Sequence, residues 1–135
     1  MDALAESYAA ELIKFGIGSA ILVPGAYTGG TNHFAHAGTP ADTARAAHYD
    51  TLYDKLRTDM AGALTAIFPD GHDASEVADE IVRVVGLPAG KRPFRVHADP
   101  SKDGSEVVSA VYDRTRAEFY RRTGLAELLT DQASL

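Results

Sequence analysis

The sequence contains no cysteine. Its absence excludes disulfides, zinc–thiolate sites, iron–sulfur clusters and a cysteine nucleophile. Excess positive charge is missing too: 13 Lys and Arg stand against 19 Asp and Glu, a formal net charge of −6. Non-specific binding to nucleic acid or to anionic lipid needs surplus cation, so no nucleic-acid partner is expected. No apolar run approaches the roughly 20 residues of a membrane span, so no membrane partner is expected. The first residues carry Asp2 and Glu6 rather than a basic stretch. They do not read as a secretory signal, and the expected compartment is the cytoplasm. What is there is ordinary: 135 residues, 45% apolar and 24% charged. That is the balance of a globular chain, and the length fits one domain.

Residues 2–15 read as a helix. Asp2 offers an N-cap, Ala, Leu and Glu favour the element, and Gly16 supplies a stop. Residues 18–23 form a short apolar run ending at Pro24-Gly25. A run without alternation suits a strand covered on both faces, as in a parallel sheet. Residues 24–40 hold four of the 12 glycines and two of the 6 prolines. In an open α/β sheet, ligands bind in such loops beyond the carboxyl ends of strands.

Residues 41–67 predict one long helix or two abutting ones, with Tyr49, Leu52, Leu56, Met60, Leu64 and Ile67 near the helical period. Residues 74–86 predict another, capped by Asp73 or Ser75. Its buried stripe is Val77, Ile81, Val84 and Val85. Residues 94–97 alternate like a brief strand, residues 104–122 are helical, and the remainder is helix-prone but expected to fray. The order is α–β–loop–α–α–β–α. Two strands do not make a stable sheet by themselves, so the strand content is low for this syntax.

Complete catalytic constellations are also lacking. The glycines of residues 25–30 do not run straight into a helix, and Thr31 stands where a phosphate loop of the Walker type needs Lys. His33 and His36 are three apart, but there is no HExxH and no well-placed carboxylate, so no metal site is expected. Asp70, His72 and Asp73 sit beside a Pro/Gly turn and are explained by turn chemistry. No serine has a G-x-S-x-G context.

One stretch carries a resemblance. Asp2-Ala-Leu-Ala-Glu-Ser-Tyr-Ala-Ala-Glu-Leu12, then Phe15-Gly16-Ile17, then Ile21-Leu22-Val23-Pro24-Gly25 follow one another in fixed order. This resembles the C-terminal half of the short-chain dehydrogenase/reductase family. Its catalytic helix continues into an Ala/Leu/Glu-rich stretch, an FGI turn and a strand ending in Pro-Gly. The motif match covers residues 1–34; beyond Pro40 the likeness is one of architecture. The resemblance implies an α/β fold, the C-terminal part of a Rossmann-like doubly wound sheet, helix-rich with about two short strands. It divides the chain into 1–40 (helix, strand and cofactor/substrate loop), 41–90 (helical substrate side) and 91–135 (short strand and last helix). It implies that Met1 lies inside a longer helix.

The same resemblance implies NAD or NADP as cofactor. Pro24, Gly25, Tyr27 and Thr28 match the loop that touches the nicotinamide. Thr31, His33, Phe34 and His36 fall in the substrate loop. The family's threonine falls at Gly29 here, with Thr28 one residue early and Thr31 two late. No tyrosine is followed by lysine four residues on, and the glycine-rich cofactor fingerprint is absent. The expectation is an oxidoreductase-like chain acting on a carbonyl or alcohol when part of a complete enzyme, and inactive alone. The helix at 2–15 is expected to mediate homo-oligomer contacts. The alternative is a non-enzymatic oligomerising or small-ligand-binding α/β module.

Overall fold

The computed structural model describes residues 1–27, 29–32 and 36–129, apart from the side chain of Thr65. Helix α1 runs over Asp2–Leu12 and tightens into a 3-10 turn over Ile13–Phe15. Gly16 ends it with φ 72°, a left-handed conformation that disfavours a side chain. Strand β1 is Ile21–Pro24. Helices α2 (Thr43–Ile67) and α3 (Ser75–Gly86) follow. Then come strand β2 (Arg95–Ala98), helix α4 (Ser105–Arg122) and a short 3-10 turn at Ala126–Leu129. Residues 130–135, expected to fray, lie outside the described residues.

β1 and β2 form a two-stranded parallel sheet, with Ile21 opposite Arg95 and Pro24 opposite Ala98. The chain is therefore α/β and helix-rich, with two short strands among the described residues. Side chains alternate across a strand, so the two faces are distinct. On one face Arg95 reaches Asp2 and Glu6 of α1 and Asp113 of α4, and His97 Nε2 meets Ser109 Oγ at 3.2 Å. On the other face Leu22 and Val96 share the wall of one cavity with Ile81, Val84 and Val85 of α3. The result is three layers, with α1 and α4 on one side of the sheet and α3 on the other.

Several expectations need correction. Asp2 does not cap α1: Met1 is the N-cap residue and no side chain fulfils that role. The Asp2 carboxylate instead accepts from Arg95 Nη1 at 2.7 Å, a bond in which both partners are charged, whereas a cap would pair it with neutral amides. The expected strand 18–23 is shifted to Ile21–Pro24, because the ladder opens only where the Ile21 N–H finds the Phe94 carbonyl, at 2.8 Å. β2 is likewise displaced by one residue from the expected 94–97. α3 has Ala74 at its N-cap without a side-chain bond. Asp73 Oδ1 accepts from Ser75 N–H at 2.8 Å, and the Glu76 carboxylate accepts from Asp73 N–H at 3.3 Å. These bonds satisfy amides around the helix start from just outside the cap position.

The apolar stripes are the larger surprise. Of the α3 stripe only Val84 is buried, while Ile81 and Val85 are 49% and 64% exposed. α2 is one continuous helix, yet Leu52, Leu56, Met60 and Ile67 all face solvent. Among the described residues the buried apolar core is Ala9, Ile13, Val84 and Val96. A sheet of two short strands offers too little area to cover amphipathic helices of this length.

Candidate functional site

The strongest site candidate is the glycine-bearing loop at the carboxyl end of β1. The strand delivers Pro24 and Gly25 to the carboxyl end of the sheet. Gly25 N–H then extends the ladder by donating to the Ala98 carbonyl at 2.8 Å. The Tyr27 hydroxyl donates to that same carbonyl, also at 2.8 Å. Two donors on one acceptor fold the loop back over the end of β2. Farther along, Gly29 bridges to Asp73, and Ala74 N–H donates to the Gly29 carbonyl at 3.1 Å. The loop is thus tied at one end to β2 and at the other to the start of α3.

Between these ties lies an open cleft of about 400 Å³, walled by Pro24, Gly25, Tyr27, Thr31, Ala74 and Val77. Its walls are largely apolar, with backbone groups and one threonine as polar features. Gly25 is required by close approach. A Cβ there would meet the Asp99 carboxylate and would lie 2.7 Å from Asp99 Cα. Asp99 is fixed in turn: it accepts from Ser101 Oγ at 2.6 Å, Ser101 N–H at 3.0 Å and Asp103 N–H at 3.3 Å. The Ser101 hydroxyl is the main reason that the Asp99 carboxyl titrates below its ordinary range.

Electrostatics around the cleft are acidic. Burial, and then the charges of Glu76 and Asp99, push the Tyr27 hydroxyl above its ordinary pKa. Tyr27 is therefore a neutral donor at physiological pH, positioned on a carbonyl rather than poised for proton transfer. His72 Nδ1 lies 2.9 and 3.0 Å from the two carboxylate oxygens of Glu76. Asp73 is held below its ordinary range by hydrogen bonds from Ser75.

Of the residues singled out in the sequence, the structure brings Pro24, Gly25, Tyr27 and Thr31 together around this cleft. Thr28, His33 and Phe34 lie outside the described residues. His36 is exposed, and its N–H donates to the Asn32 carbonyl at 3.1 Å. No group of three or more His, Asp or Glu side chains that could hold a metal occurs among the described residues. Sequence reading missed Asp99, Ala74 and Val77. Asp99 had a local signal, an Asp-Pro-Ser turn directly after a strand. Ala74 and Val77 had none, because only the tertiary fold sets α3 beside the loop.

Fold and site together define an α/β chain with a parallel strand pair and a cleft at the carboxyl end of a strand. Compared with known proteins, the chain matches no family model and no curated protein. No helix among the described residues is long and apolar enough to cross a membrane.

Proposed function

We propose that this chain is the substrate-side part of an NAD(P)-dependent oxidoreductase of the short-chain dehydrogenase/reductase type, in which the loop after β1 receives the nicotinamide. The observation that carries this reading is the cleft at the carboxyl end of a parallel strand, built from Pro24, Gly25 and Tyr27. That is where α/β sheets take their ligands. The missing side chain at Gly25 lets backbone approach a flat ring, and proline fixes the exit of the strand. The acidic surroundings favour the cationic, oxidised nicotinamide ring.

Further support comes from β1 itself. β2 lies along one edge, and the other edge is unpaired among the described residues. Its residues are apolar on both faces, as a strand interior to a wider parallel sheet requires. On this reading the hydride passes between cofactor and carbonyl carbon, while the proton-transferring tyrosine belongs to a segment that this sequence does not contain.

The test is a titration of the purified chain with nicotinamide mononucleotide, followed by amide resonances. Gly25, Ala26, Tyr27 and Gly29 are expected to shift together at millimolar ligand, with no NADH- or NADPH-dependent reduction of ketones. Shifts elsewhere, or ketone turnover by the chain alone, overturn the assignment.

A second reading has its own observation. Leu4 and Tyr8 on α1 are 57% and 53% exposed beside the open edge of β1. Contiguous exposed apolar surface of this kind drives association. We propose on this ground that the chain self-associates through α1. Light scattering on a size-exclusion column should give a mass above 14.4 kDa that falls on dilution. Leu4→Glu should lower it further. A constant mass of 14.4 kDa at every concentration removes this reading.

A further inference from the structure

We infer that α2 is an interface between two copies of this chain, paired antiparallel along its apolar stripe. Every described residue of α2 except Ala46 is exposed. Tyr49, Leu52, Tyr53, Leu56, Met60 and Ile67 are each 47 to 74% exposed. At 3.6 residues per turn these six fall within about 100° of the helix circumference, the width of a face that is normally covered. Apolar side chains scattered singly over a surface need no partner. A continuous stripe along a helix of 25 residues, about 37 Å long, is a different case.

Area and charge both point to a second copy as the cover. Each stripe residue, with about half its surface free, offers on the order of 100 Å². With Ala63 and Leu64 beside them, one helix approaches the roughly 800 Å² per partner of a stable interface. The chain carries a net charge of −6, so its copies repel one another overall. α2 has no part in that excess: Arg45, Lys55 and Arg57 balance Asp50, Asp54 and Asp59. Lys55 and Arg57 hold Asp59 and Asp50 of the same helix. Two copies of α2 therefore approach without net repulsion.

Direction follows from dipoles and size. Antiparallel pairing opposes the two helix macrodipoles, whereas parallel pairing aligns them. The stripe runs from Tyr49 to Ile67, so its midpoint is Thr58. Position 49 of one copy then faces position 67 of the other, and position 56 faces position 60. Tyr49 and Tyr53 meet the smaller Ala63, Leu64 and Ile67 rather than each other, which fills space better. This interface is separate from the α1 contact and from the nicotinamide cleft.

The experiment measures the dissociation constant of the full chain by sedimentation equilibrium, with and without Leu4→Glu, which removes the α1 contact. The Leu4→Glu chain is expected to pair at twice 14.4 kDa. Tyr49→Glu and Ile67→Lys should each weaken that pairing at least tenfold. Together they should restore it to within about threefold, with unchanged far-UV circular dichroism. Antiparallel copies set the new carboxylate of one beside the new ammonium of the other, and positions 49 and 67 are too far apart to pair within one helix. In a parallel pair like charges meet, so a double variant weaker than either single one overturns the proposal. Single variants without effect also overturn it. So does a mass of 14.4 kDa at every concentration in the Leu4→Glu chain, which leaves any association of the native chain to α1. A native chain whose mass does not respond to Leu4→Glu removes the α1 reading and leaves this one standing.

Discussion

Replacing Arg95 with methionine is expected to cost about 3 kcal/mol or more of stability, the largest effect of any single substitution in this chain. The Arg95 side chain is only 6% exposed and is surrounded by acids. Its Nε and Nη2 bind both oxygens of Asp113, at 2.9 and 3.0 Å. Nη1 reaches Asp2 at 2.7 Å and Nη2 reaches Glu6 at 3.3 Å, where the Tyr112 hydroxyl also donates at 3.0 Å. One cation thus joins β2, α1 and α4. These acids hold its own pKa well above the ordinary arginine value, Asp113 most strongly.

Methionine fills a similar volume but leaves three carboxylates facing one another without a counter-charge. With a buried apolar core as small as this one, little else offsets that repulsion. The sign of the pH dependence follows. Hydrogen bonding to Arg95 holds Asp2 below its ordinary value. In the native chain this stabilisation is full above the unfolded-state pKa of about 3.9 and is lost as pH falls through the lower folded-state value. In Arg95→Met, acid instead neutralises the repelling carboxylates. The gap in urea midpoint between the two chains should therefore be widest near neutrality and narrow below about pH 4. An equal midpoint at pH 7 would show that the network contributes nothing.

Gly25→Ala should also be severe, at about 2 kcal/mol, within the usual range for overpacking. The added methyl meets the Asp99 carboxylate and, at 2.7 Å, its Cα. Backbone on the far side cannot rotate away as a flexible side chain would. Either β1 and β2 separate at their carboxyl ends, or the loop leaves the Ala98 carbonyl. Both outcomes deprotect the amide at position 25 in hydrogen exchange, and a protected amide in the variant would contradict the close approach. Asp99→Ala in the same background should recover little, since the clash with the backbone at position 99 persists.

Much of the local structure was legible because it depends on neighbours in the chain. The apolar run before Pro24, the stop at Gly16 and the spacing of residues 104–122 gave element types correctly. Boundaries slipped where a distant partner decides them. β1 starts at Ile21 because Phe94 first offers its carbonyl there. Asp2 looked like a cap because no local signal tells it that Arg95 lies within reach. Stripe burial failed for the same reason: Ile81, Val85 and the apolar side of α2 have the period of buried faces but too little sheet to cover them.

The sequence by itself determined the element order, the acidic charge, the absence of thiol chemistry and the Pro-Gly loop after a strand. Each rests on composition or on interactions within a few residues. Only the tertiary structure decided the sheet register, the Arg95 network, and the placing of α3 and Asp99 around Gly25. Those depend on residues as far apart as Glu6 and Tyr112, whose meeting follows from long-range packing and the charge it brings together.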